Sequence, residues 1–207
     1  AAMVLGERLA GVPEVPVAID AGSDAVTWRD IRYEEFRDVG VLHFPFYNGA
    51  MSTSQCERLI AAYGQACGRP TRVIVLAGGT DFWSNGIHLN VIEASAQAAE
   101  ESWRNINAID VLAFAILTTG SHLTVAALQG NAGAGGVFLA LTSDRVLARE
   151  GVILNPHYKG MGNLYGSEYW TYLLPRRVAP AASRALMHER LPVSAAQAAG
   201  LGLVDAA

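Results

Sequence analysis

Twice in this chain a short apolar run ends in glycine and the sequence then turns toward a helix. The first is "RVIVLAGG" (72–79), continuing as "TDFWSNGIHLNVIE"; the second is "HLTVAALQG" (122–130), continuing as "NAGAGGVFLAL". Continuous apolar runs rich in β-branched residues read as strands buried on both faces, as in parallel sheets covered by helices. Glycine permits close backbone approach, and a helix that follows opens with N–H groups lacking an acceptor inside the helix. Such groups stabilise an anion or a developing negative charge. Two such units constrain the chain to an α/β fold in which strands alternate with helices through right-handed crossovers.

The rest of the sequence fits that class. "DIRYEEFRDVGVLHFPF" predicts strands over about 31–36 and 39–44, turning at Asp38, and apolar residues at helical spacing predict a helix from Thr53 to Cys67. A polar helix from about Ser95 and an apolar helix through Leu117 are expected, then strands within "RVLAREGVILN" (145–155). The last third, with "GSEYWTYLLP", "APAASRALMHE" and "SAAQAAGLGLV", reads as helical. Residues 1–25, rich in Pro and Gly, read as a linker or extended arm, and 26–207 as one domain. A start at Ala1 is expected of a fragment of a longer protein.

Composition excludes several function classes. Of the 207 residues 51% are hydrophobic and 16% charged, which suits a substantial core rather than a disordered chain. A net charge of −4 with no basic stripe gives no footprint for nucleic acid. The longest apolar runs, such as "VLAFAIL" (111–117), fall far short of the roughly 20 residues that span a bilayer. Cys56 and Cys67 fall in one predicted helix at no metal-ligand spacing. A helical rise puts them roughly 16 Å apart, beyond the reach of about 7 Å that a disulfide allows. A reduced, cytoplasmic protein is the expectation.

Neither glycine turn carries a nucleotide motif. Counting from Gly133, Gly135 fits a dinucleotide fingerprint, but Phe138 stands where its third glycine belongs, and no Gly-Lys-Ser/Thr occurs. Taken together, the turns resemble the crotonase (enoyl-CoA hydratase/isomerase) superfamily. "FWSNGIHL" (82–89) and "GNAGAGGVFLAL" (130–141) are similar to its two signature turns, "LTSDRVLARE" (141–150) to the segment after them, and "SAAQAAGLGLVD" to its late helix. Whole phrases, among them "LNPHYKGMGNLYGSEYWTYLLPRRV", resemble one branch, the crotonase-like domain of the HypX (HoxX) family of [NiFe]-hydrogenase maturation proteins.

The resemblance implies a fold of repeated ββα units, here without the family's C-terminal helical extension. It also implies an oxyanion hole for acyl-CoA thioesters, formed by the backbone N–H groups of Ile87 and Gly135. Donors of this kind polarise a thioester carbonyl, each worth about 3 kcal/mol. The hydratases' two catalytic glutamates fall at Phe138 and near His157, so water addition by that pair is not expected. Replacement chemistry is expected in 154–170, where Tyr158, Glu168 and His157 cluster. Glu168, read as lying in the helix "YGSEYWTYLL", gains proton affinity from burial, and Tyr158 donates a hydrogen bond. The competing reading makes Glu168 a cap or ion-pair partner and Tyr158 a core aromatic. His88 reads as structural. Phe82, Trp83, Phe138 and Asn131 are expected to line the pocket, and Arg69, Arg72 and Lys159 to be candidates for the CoA phosphates.

For the branch, the implied activity is release of CO from formyl-CoA, with coenzyme A as product, no metal, and an upstream formyl-tetrahydrofolate transferase-like domain as partner. Other hydrogenase maturation proteins are further candidate partners. The alternatives are a conventional acyl-CoA hydratase, isomerase or thioesterase, or a non-catalytic CoA-thioester docking module.

Overall fold

The structure, a computed structural model, describes residues 14–15, 30–158 and 166–207. Its strands are β1 (Glu14–Val15), β2 (Arg32–Phe36), β3 (Val39–His43), β4 (Ala50–Met51), β5 (Val73–Ala77), β6 (Phe82–Ser84), β7 (Gly86–Ile87), β8 (Leu123–Leu128), β9 (Asn131–Gly133), β10 (Arg145–Ala148), β11 (Ile153–Asn155) and β12 (Val193–Ser194). Its helices are α1 (Thr53–Cys67), α2 (Leu89–Ala94), α3 (Ala98–Leu117), α4 (Gly135–Leu141), α5 (Trp170–Arg177), α6 (Pro180–Glu189) and α7 (Ala195–Leu201).

One step is repeated. A strand of the larger sheet ends, the chain turns, and a short strand joins a second sheet. β5, β8 and β10 lie parallel in the larger sheet, ordered β1-β2-β3-β5-β8-β10, and their continuations β6, β9 and β11 lie parallel in the smaller one, ordered β12-β11-β9-β6. This is the expected succession of ββα units. The β2–β3 hairpin adds antiparallel strands at one edge, turning through Arg37 and Asp38. Of the N-terminal arm, only Glu14–Val15 falls within the described residues, as a strand paired with β2.

Helices cover the larger sheet because their sequences carry one apolar stripe each. Cys56, Leu59, Ala62, Tyr63 and Ala66 bury the inner face of α1, whose start is fixed by a Ser52–Gln55 capping box. Ala108, Ile109, Leu112, Ala113 and Ile116 do the same for α3. Two helices were expected up to Leu117, but α3 runs unbroken from Ala98. Its polar and apolar halves contain no Gly or Pro to separate them, so the change in composition is a change in exposure. α4 is buried on every side, from Gly135 to Leu141, and occupies the centre of the fold.

Candidate functional site

The two glycine turns meet backbone to backbone. Gly86 has φ +80, and a Cβ there would stand 3.2 Å from the Cα and N of Gly135. A Cβ on Gly136 would collide with the Ser84 carbonyl. Any larger residue would push the turns apart. Ile87 is held in register against Met51 by the β4–β7 pairing. Gly135 opens α4, so its N–H has no acceptor within the helix. Before it, Ala134 adopts φ 46 and ψ −124, a conformation that costs a non-glycine residue about 1–3 kcal/mol. Its N–H donates to the Asn155 carbonyl at 2.9 Å, which helps to hold the turn.

Glu168 lies against this junction. A Cβ on Gly135 would run into its Oε1. The Tyr158 hydroxyl donates to Glu168 Oε2 at 2.6 Å and sits 3.1 Å from the Ser167 carbonyl oxygen. The Glu168 N–H donates to Asp110 Oδ1, also at 2.6 Å. Glu168 is only 1% exposed. Burial, with a smaller contribution from the Asp110 charge, pushes its carboxyl up to about 7, against the opposing pull of hydrogen bonds from Tyr158 and Ser167. Burial first, and then the neighbouring Glu168, drive the Tyr158 phenol well above its usual range, so it stays protonated. The same two causes push the buried Cys56 thiol up to about 12. A carboxyl that titrates near neutrality, paired with a fixed phenol, can take a proton from one atom and return it to another.

The remaining expected residues divide. Phe138 is fully buried and stacks on the Tyr158 ring, with centroids 5.2 Å apart and planes at 17°, so it fixes the phenol from behind. Phe82 is half-buried in β6. Trp83, expected to line the pocket, lies in the core. It is 1% exposed, meets Phe44 edge-on at 5.3 Å and donates to the Leu76 carbonyl. Asn131 is likewise committed elsewhere, its Oδ1 accepting from Ile153 N at 2.9 Å across the small sheet. His157 precedes Tyr158, and both of its ring nitrogens are buried without a hydrogen-bond partner among the described residues. His88 caps α2, its Nδ1 accepting from Val91 N at 3.4 Å. Arg69 is paired with Glu35 at the surface, and Lys159 lies outside the described residues.

Glu168 itself is not helical. It and Tyr169 have φ 51 and 56, and α5 begins only at Trp170. The apolar spacing that extends the helix back to Tyr165 continues through a left-handed turn. Two residues escaped the sequence reading. Asn105, fully buried on α3, accepts from His88 N at 3.1 Å and donates to the Met51 carbonyl at 2.9 Å, clamping both sides of the Ile87 strand. An Asn in phase with Ala108, Ile109 and Leu112 was the available signal. Asp110, on the same helix, holds Glu168 from a partner 58 positions away, and no local pattern announces it.

Among the described residues, no group of three or more His, Cys, Asp or Glu side chains is arranged to hold a metal ion, and no helix is long and apolar enough to cross a membrane. The Enoyl-CoA hydratase/isomerase family matches residues 41–207. The hydrogenase maturation factor HoxX of Bradyrhizobium diazoefficiens is 61% identical over 175 residues, 84% of this chain and 31% of that protein. The crystal structure of HypX from Aquifex aeolicus in complex with tetrahydrofolic acid superimposes with a TM-score of 0.85 at 58% identity, covering 87% of this chain and 32% of that one. The chain thus spans about a third of the length of these relatives. An enoyl-CoA hydratase from Thermoplasma volcanium, 23% identical, shares the fold with a TM-score of 0.74 over 86% of this chain and 71% of that one. With its repeated ββ step, its two apposed glycine turns and a family match over most of its length, the chain belongs to the enoyl-CoA hydratase/isomerase, or crotonase, family.

Proposed function

We propose that this domain releases CO from formyl-CoA and thereby serves hydrogenase maturation. The observation that carries the reading is the Tyr158–Glu168 pair, packed on Gly135 where the two glycine turns meet. The backbone N–H groups of Ile87 and Gly135 bind the formyl oxygen and polarise the carbonyl. The Glu168 carboxylate takes the formyl proton. The C–H electron pair becomes the carbon lone pair of CO, and the C–S pair leaves with sulfur. The proton then returns through Glu168 and Tyr158 to the thiolate, giving CO and CoA-SH with the enzyme restored.

The surroundings support this chemistry over hydration. Phe138 occupies the position where the resemblance expects a hydratase glutamate, and it neither donates nor accepts a proton. Its ring and that of Trp170, 6.2 Å away, make the proton-transfer pair's surroundings apolar, which disfavours competing hydrolysis to formate. The similarity to HoxX and HypX supports the place in hydrogenase maturation, with a formyl-group transferase domain supplying the substrate in a longer protein.

The test is incubation of the protein with formyl-CoA, with CO followed by the absorption change of haemoglobin. CO formation with stoichiometric free CoA is the expected result. Turnover of crotonyl-CoA instead identifies a conventional family enzyme. CoA binding without turnover of either thioester identifies a docking module.

A further inference from the structure

Two consecutive left-handed residues, Glu168 and Tyr169, carry the acid of the site, and neither is glycine. Each conformation is costly, so the surrounding structure must over-determine them. α5 does not do so from its own sequence, since no side chain caps its first turn. The support comes from α3. Asp110 Oδ1 accepts the Glu168 N–H at 2.6 Å, and Phe114, one turn further along, meets the Tyr169 ring at 6.2 Å. The same helix, through Asn105, grips the strand that carries Ile87.

We propose that Asp110 is the positioning residue of the site, an anionic anchor that fixes the Glu168 backbone and acts by its charge on the Glu168 carboxyl. The inference deepens the proton-transfer reading above and rests on it. Among the described residues, the titratable groups that act on that carboxyl are Tyr158 after β11, Cys56 on α1 and Asp110 on α3, and α4 meets it at Gly135. Asp110 is the acid among them, and its charge favours the protonated form of Glu168. A neutral acceptor at the same place would keep the hydrogen bond and lose that influence. Geometry and charge are therefore separable by substitution.

Asp110→Asn retains an acceptor for the Glu168 N–H, whereas Asp110→Ala removes it. The Glu168 carboxyl is titrated in the whole protein by infrared difference spectroscopy against Glu168→Gln, a readout independent of turnover. Asp110→Asn is expected to lower the Glu168 midpoint and to move the alkaline rise of CO release with it. Asp110→Ala is expected to lower kcat by at least about tenfold, with KM for formyl-CoA within about twofold, because a misplaced base impairs chemistry more than binding. An unmoved midpoint in Asp110→Asn, or wild-type kcat in folded Asp110→Ala, overturns the proposal. If the wild-type protein releases no CO, the functional reading fails, and the titration of Asp110→Asn alone decides the anchor.

Discussion

Glu34 on β2 and Glu168 ahead of α5 are buried to the same degree, 2% and 1% exposed, in surroundings of opposite chemistry. Glu34 has a guanidinium at 3.3 Å, from Arg32, and an imidazole nitrogen at 3.5 Å, from His43 across the hairpin. Glu168 has a phenol, a thiol and a second carboxylate, and no ion pair among the described residues. Burying a carboxyl without a counter-charge is costly, and the usual outcome is a raised proton affinity. The fold can supply a counter-charge, as Arg32 on β2 shows. Among the described residues none does so for Glu168, and that raised proton affinity is what the proposed proton transfer would use.

Exchanging the two carboxyls for amides is the strongest way to break this contrast. Glu168→Gln is expected to lower CO release by roughly 10²–10⁴-fold, the usual contribution of a positioned acid–base group. Glu34→Gln is expected to leave the rate per folded molecule within about twofold. Its cost falls on stability instead, roughly 3 kcal/mol, because Arg32 and His43 lose a buried partner. The haemoglobin assay and urea denaturation, applied to both variants, read the two effects separately. Equal rate losses in both sink the distinction.

A pH series gives the next largest effect. The Glu168 carboxyl titrates near 7 when folded and from the ordinary value of 4.5 when unfolded. Between those values the folded chain holds a proton that the unfolded chain has released. Stability from this group is therefore fully present below about pH 4.5 and declines as pH rises. The loss reaches roughly 3 kcal/mol above pH 7. Denaturation at pH 5 and pH 8 should show this decline in the wild-type protein and a flatter dependence in Glu168→Gln. The same slope in both assigns the titration to another group.

The contrast also shows what could be read before the structure. The repeated strand–glycine–helix units were legible because local apolar runs and glycines agreed, and α1 runs over the expected residues. The meeting of Gly86 with Gly135 was legible only through resemblance, since nothing in either turn names the other. Glu168 and Tyr158 could be picked as a pair by their chemistry and neighbourhood. Their 2.6 Å contact, and the left-handed turn that permits it, depend on Asp110, which is far away in sequence. The burial of Trp83 was not legible, since an aromatic in a glycine-rich turn reads as a pocket wall until its packing on Phe44 is seen. Glu34 drew no attention at all, since a carboxylate in an edge hairpin looks solvated until its neighbours are seen.

Tyr158→Phe produces the smallest of these effects and sharpens the contrast most. The ring that stacks on Phe138 is retained, so packing changes little. What disappears is the Tyr158 hydroxyl that donates to Glu168 Oε2 at 2.6 Å, while the Ser167 hydrogen bond stays. A hydrogen bond to the ionised form lowers a carboxyl's proton affinity, so its loss should move the Glu168 midpoint upward from about 7. At neutral pH fewer molecules then hold the carboxylate proposed to take the formyl proton, and CO release should fall by about tenfold. Raising the pH separates two roles for the hydroxyl. If Tyr158 only tunes Glu168, the rate recovers toward wild type near pH 8.5. If the phenol also carries the proton to sulfur, the deficit persists at every pH, and the pair acts as a relay rather than as a base with a tuned neighbour.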